Sequence, residues 1–173
     1  KGGTLLSGAS DALLKLNQLS SEDSGLYQVE VTNPVGTIRS SMAKLDVVAG
    51  PTIVQAPVVQ TVILGQSVEF AVIAGGSKPL TYQWYKNGVL IEGVGGASFG
   101  IESAANADAG SYSVLVLNRG GTVESDAMLL DVITPVSISR DLENVTVSEG
   151  GIARFSVDVS GTSPISYQWF YGG

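Results

Sequence analysis

Displaced by 85 residues, the chain falls on itself without a gap. Asp23, Gly25 and Tyr27 land on Asp108, Gly110 and Tyr112, and Leu45, Asp46 and Val47 land on Leu130, Asp131 and Val132. Further on, Gly65 lands on Gly150, Phe70 and Val72 on Phe155 and Val157, and Pro79 on Pro164. Tyr82, Gln83 and Trp84 land on Tyr167, Gln168 and Trp169. A unit of this length is too long for a helical solenoid and suits one compact domain of about 100 residues. Residues 1–49 match the second half of such a unit, 50–134 form a whole one, and 135–173 match the first half of another. Lys1, Gly2 and Gly3 align with Lys86, Asn87 and Gly88, and so do Tyr171, Gly172 and Gly173. Both ends therefore fall in the same expected turn, as in a window cut from a longer array.

Within the whole unit the pattern is that of short strands. Residues 52–55 and 58–63 read as one strand split around Pro57, a residue suited to a sheet edge because it has no N–H to donate. Across 67–74, Val68, Phe70, Val72 and Ala74 alternate with Ser67, Glu69 and Ala71, the period-2 pattern of a half-buried strand. Residues 80–85 follow with Leu80, Tyr82 and Trp84 on one face, then the hairpin dipeptide Asn87-Gly88, both of which tolerate positive φ. After a flexible 92–96 connection come strands at 97–103, 112–117 and 122–132, with a corner at 104–110 and a turn at 118–121. No stretch has convincing helical periodicity. Leu13, Leu14, Leu16 and Leu19 might suggest a helix, but the 85-residue register puts them on the strand and corner of the preceding unit.

Composition excludes several function classes. The sequence has no cysteine, which rules out disulfides and thiolate metal sites, and no histidine, which removes the commonest general base and metal ligand. No buried carboxylate pair suggests itself, so an enzyme is not expected. A formal net charge of −7, with nine lysines and arginines scattered singly, opposes nucleic-acid binding, which needs a basic stripe. No apolar run approaches the roughly 20 residues of a membrane helix, so no membrane insertion is expected within these residues. The chain is 44% hydrophobic, ample for a packed core.

The motifs Gly65-x-x-Val68-x-Phe70-x-Val72, Tyr82-x-Trp84-Tyr85-Lys86-Asn87-Gly88, Asp108-x-Gly110-x-Tyr112-x-Val114-x-x-x-Asn118 and Leu130-x-Val132 resemble the I-set type of immunoglobulin domain. The form they resemble is the cysteine-free one that recurs in tandem in very large bacterial cell-surface and surface-layer proteins. The resemblance covers the whole unit and, by register, both flanking halves. It implies an all-β fold, an immunoglobulin-like β-sandwich in tandem repeats of 85 residues. It also implies an extracellular, cell-surface location, with neighbouring immunoglobulin-like domains of the same or identical chains as partners. Val72 and Val114 stand where the disulfide-bonded family has cysteines, so the core is expected to rest on Trp84, with Tyr112 as the corner tyrosine. Tyr27 and Trp169 take the corresponding core places in the flanking units.

Asp108 and Asp23 read as turn-capping acceptors, Gly110 as a backbone requirement, and the glycines of 93–96 as a connection without the context of a phosphate loop. Asn144-Val145-Thr146 is a formal glycosylation sequon, so glycans are possible partners. No cofactor is expected. Calcium is one possibility at the junctions, where Asp46, Asp131, Glu92, Asp126, Asp141 and Glu143 would supply oxygen ligands. One feature breaks the repeat: Leu115, Leu117 and Leu129 stand outward where the preceding unit has Glu30, Thr32 and Lys44. With Tyr85 nearby they form a candidate contact patch. The halves at 1–49 and 135–173 cannot each bury an inner face alone, so one chain's tail completing the next chain's head is a further expectation. The chain is therefore expected to be a structural repeat unit, spacer and assembly module of a large extracellular bacterial surface protein. An adhesin or carbohydrate-binding module is the alternative.

Overall fold

The alternating stretches become strands wherever a ladder partner is available. The computed structural model describes residues 3–172, so the turn positions Lys1, Gly2 and Gly173 lie outside the described residues. In chain order the strands are β1 (Gly25–Tyr27), β2 (Glu30–Asn33), β3 (Gly36–Arg39), β4 (Ala43–Leu45), β5 (Thr52–Gln55), β6 (Gln60–Ile63), β7 (Val68–Ala71) and β8 (Ile73–Gly75). They continue as β9 (Thr81–Lys86), β10 (Val89–Leu90), β11 (Ser98–Ile101), β12 (Gly110–Asn118), β13 (Gly121–Glu124), β14 (Met128–Ile133), β15 (Ser137–Arg140) and β16 (Asp158–Ser160). The helical elements among the described residues are two single 3-10 turns, Ser21–Asp23 and Asn106–Asp108.

Strands β5 to β14 form a sandwich. One layer runs β10-β9-β12-β14-β6, with β13 also paired to β12. The other holds the pairs β5–β8 and β7–β11, β7 and β8 being successive pieces of one strand interrupted at Val72. The split first strand serves both layers: β5 pairs antiparallel with β8, and β6 pairs parallel with β14. The change of sheet occurs across 56–59, where Pro57 has no N–H for either ladder.

Between the layers lie Phe70, Trp84, Tyr112, Val114, Val116 and Leu130, the largest fully buried side chains. Phe70 stacks on Tyr112 with centroids 4.6 Å apart and on Phe99 at 4.7 Å, and Trp84 meets Phe99 edge-on at 5.0 Å. Val72 is buried in the same cluster. The Trp84 Nε1–H donates to the Gly96 carbonyl at 2.9 Å, so the glycine-rich connection is tied down by the core tryptophan. At the corner, Tyr112 Oη donates to the Asp108 carbonyl at 2.7 Å and Asp108 Oδ2 accepts the Ala105 N–H at 2.8 Å. The preceding corner repeats both bonds, from Tyr27 Oη to the Asp23 carbonyl and from the Ser20 N–H to Asp23 Oδ2, each at 2.8 Å.

Gly110 has a geometric reason. Its φ is +151°, and a Cβ there would sit 2.8 Å from Asn87 Oδ1. That oxygen accepts the Ser111 N–H at 2.9 Å. The Asn87-Gly88 turn, with both residues at positive φ, is thereby fastened to the start of β12.

Outside the sandwich three expectations change. Trp169 is 52% exposed, and 164–170 forms no strand. The stretch equivalent to β9 needs a ladder partner equivalent to β12, and none is present among the described residues. Tyr27 is only partly buried for the same reason. The stretch carrying Leu13, Leu14, Leu16 and Leu19 is likewise irregular and exposed, because no described strand stands to it as β7 stands to β11.

Two measurements follow. Trp84→Ala is expected to destabilise the sandwich by about 3–5 kcal/mol, read as a lowered urea midpoint; a midpoint within error of the parent would remove Trp84 from its central place. Burial holds the Tyr112 hydroxyl above its ordinary pKa of 10.0, and the Asp108 carboxylate adds to the shift. A folded pKa above the unfolded one gives stability that is complete below the unfolded value and lost as pH rises through the folded value. The urea midpoint is therefore expected to fall as pH rises past about 10, and less steeply in Tyr112→Phe. Parallel slopes for the two proteins would contradict this.

Candidate interaction surface

Alternation along β12 sends Tyr112, Val114 and Val116 into the core and leaves Ser111, Ser113, Leu115 and Leu117 outside. Register then fixes their neighbours. Leu115 stands opposite Gln83 and Glu124, Leu117 opposite Thr81 and Thr122, and Ser113 opposite Tyr85. Tyr85 is thus one diagonal step from Leu115, and its hydroxyl donates to Gln83 Oε1 at 3.2 Å. On its other side Tyr85 pairs with Leu90 of the edge strand β10, which is exposed. The outer face therefore carries a band of Leu90, Tyr85, Leu115 and Leu117.

Leu129 does not belong to this band. It pairs with Ser111, so Ser111 and Ser113 separate it from Leu115 along β12. Leu90 takes its place in the apolar band, a residue that motif reading passed over. The Asn87-Gly88 turn carried the signal, since a two-residue hairpin loop sets Tyr85 directly across from Leu90.

The preceding unit shows what these outer positions do when polar. Across β2 and β3, Glu30 pairs with Arg39 at 2.6 Å and Thr32 with Thr37 at 2.8 Å. In the sandwich the same cross-strand places hold Leu115 with Glu124 and Leu117 with Thr122. Leucine offers Glu124 nothing, and its Oε1 instead accepts from Ser113 Oγ at 3.0 Å.

A second region of interest is the junction before β5. A cleft of about 310 Å³ there is lined in part by Lys44, Asp46, Lys78 and Arg119. The hydrogen-bonded Lys44 ammonium, 2.9 Å away, holds the Asp46 carboxyl below its ordinary range, and Arg119 contributes at longer reach. The junction carboxylates do not converge: among the described residues no group of three acidic side chains is placed to hold a cation. The calcium expectation therefore has no ligand cluster under it. Among the described residues the buried polar side chain is Ser125, whose Oγ accepts the Val114 N–H at 3.1 Å and donates to the Asp126 carbonyl. Asn144 of the sequon is exposed and lies outside any strand.

Comparison with known proteins agrees with this geometry. Residues 50–118 match the family model described as immunoglobulin domain. The chain is 34% identical over 194 aligned residues to the muscle M-line assembly protein unc-89 of Caenorhabditis elegans, covering 98% of this chain and 2% of that protein. It is 29% identical to the Xenopus laevis cell adhesion molecule-related/down-regulated by oncogenes, covering 91% of this chain and 14% of that protein. With mouse hemicentin-1 the identity is 28%, over 100% of this chain and 3% of that protein. The chain thus spans only a small part of the length of these curated relatives. Among solved structures, a three-immunoglobulin-domain fragment of titin superposes with a TM-score of 0.74 at 21% identity, covering 84% of this chain and 54% of that one. The fold is therefore the immunoglobulin-like β-sandwich, and residues 50–118 match the immunoglobulin domain family.

Proposed function

We propose that the chain is a non-enzymatic stretch of tandem immunoglobulin-like units with a structural or adhesive role in an extracellular protein. The units are 1–49, the second half of one domain; 50–134, a whole domain; and 135–173, the first half of another. The neighbouring units, of the same or an identical chain, are the partners that would cover the inner faces of the flanking halves. The names of the relatives support this reading: a cell adhesion molecule-related protein, hemicentin-1 and a muscle assembly protein. All three are animal proteins. The bacterial surface-layer unit is the narrower form of the same reading and draws no support from them.

One observation carries the contact function. Polar pairs on the outer sheet face of the preceding unit are replaced in the whole domain by Leu115 and Leu117, which Tyr85 and Leu90 extend across three strands. Apolar side chains concentrated on one sheet face mark a protein contact, and the occupant proposed here is the same face of a second copy. Leu115→Glu combined with Leu117→Thr restores the residues of the preceding unit. In sedimentation velocity over a concentration series the parent chain is expected to self-associate and the double variant to remain monomeric. A parent mass that does not change with concentration, or a variant that associates equally, would refute the contact.

A further inference from the structure

We infer that the hydroxyl side chain at position 77, and its equivalent at 162, locks each unit to the one before it, so that consecutive units hold one fixed orientation. The lock is separate from the outer-face contact and does not depend on it.

The same bonds occur at both junctions. At the first, the Ala49 N–H donates to Ser77 Oγ at 3.0 Å, and the Ser77 N–H donates back to the Ala49 carbonyl at 3.1 Å. At the second, the Thr134 N–H donates to Thr162 Oγ1 at 2.6 Å, and the Thr162 N–H donates back to the Thr134 carbonyl at 2.9 Å. Displacement by 85 residues takes Ala49 to Thr134 and Ser77 to Thr162. Both side chains carry a hydroxyl, the group this reciprocal pair requires.

The lock leaves little free chain. In front of the first junction the Val47 N–H donates to Ser24 Oγ at 2.9 Å, which holds residue 47 to the preceding unit. Residue 49 is held to the following one, so Val48 alone lies between. At the second junction the Ile133 carbonyl accepts from the Leu64 N–H at 2.8 Å. Thr134 is bonded forward to Thr162, and no residue remains between the two anchors. A hinge needs a few residues free to change φ and ψ, and neither junction provides them.

Two further features press the junction shut. Gly76 and Gly161 precede the two hydroxyl residues, with φ at +117° and +147°. A Cβ on Gly76 would lie 2.6 Å from the Gly50 carbonyl oxygen, and one on Gly161 would lie 2.9 Å from the Val136 Cα. At the first junction Asn118 adds a third strap, its Nδ2 donating to the carbonyls of Ala49 and Ser77, each at 2.8 Å. This strap links the turn after β12 to the same connection.

The absence of cysteine from the sequence permits clean spin labelling of Thr37→Cys and Glu102→Cys, one exposed position on each side of the first junction. The double electron–electron resonance distance distribution is expected to be narrow in this background and in Ser77→Thr, which keeps the hydroxyl. In Ser77→Ala it is expected to broaden, and exchange of the Ala49 amide to speed up about five-fold for the loss of one hydrogen bond. Gly76→Ala is expected to broaden the distribution further by forcing the strands apart. The urea midpoint read through Trp84 fluorescence should stay at the parent value in Ser77→Ala. An unchanged distribution in Ser77→Ala, an unchanged Ala49 exchange rate, or a midpoint drop showing general unfolding would each overturn the lock.

Discussion

The sandwich depends on one stack of rings. Phe70 lies between Tyr112 and Phe99, and Trp84 meets Phe99 at its edge, so four aromatic residues from β7, β9, β11 and β12 bridge the two layers. Offset stacks and edge contacts of this kind add to the area they bury. They stand where a related fold would use a covalent cross-link, with Val72 and Val114 filling the volume of its sulfurs. A stack has no tether in the unfolded chain, so all of its effect must come from packing. The surrounding devices fix where the rings sit. The Tyr112 hydroxyl is bonded to the corner, the Trp84 indole to Gly96, and the start of β12 to Asn87.

Those devices explain why the stretch from Trp84 to Tyr112 has so little freedom of sequence. The hairpin turn requires Asn87 at positive φ, Asn87 must bond Ser111, and the approach leaves no room for a Cβ on Gly110. Each residue is explained by the next, and none is left over for chemistry. The residues open to function are those the core does not constrain, on the outer face of β9, β10 and β12 and along the connections between units.

Sequence reasoning reached the fold because its signals were local or periodic. The alternation in β7 and β12, the Asn87-Gly88 turn and the Tyr112 corner are each written within a few residues. It reached the buried places of Val72, Trp84, Tyr112 and Val114 through the same alternation. Phe99 escaped notice because its strand is short and carries no motif, although it touches both Trp84 and Phe70. Leu129 was grouped with Leu115 and Leu117 because all three point outward; only the register, which sets Leu129 against Ser111, parts them. Trp169 shows the opposite limit. Its local motif is the same as that of Trp84, yet it stays half exposed, because burial belongs to the facing sheet and not to the residue that carries the motif.

The repeat itself separates two kinds of position. Where the 85-residue register preserves a residue's chemistry, the structure gives it a fixed task in the fold: Asp23 with Asp108 at the corners, Gly76 with Gly161 and Ser77 with Thr162 at the junctions. A hydroxyl at both 77 and 162 would look unremarkable in a polar loop, and only the paired backbone bonds reveal why it recurs. Where the register is broken, as from Glu30 to Leu115 and Thr32 to Leu117, packing inside the unit does not require the change. The polar cross-strand pairs of β2 and β3 show that the sheet forms without it. A substitution that the fold does not require, placed in register with Tyr85 and Leu90 on one face, is best explained by something outside the domain.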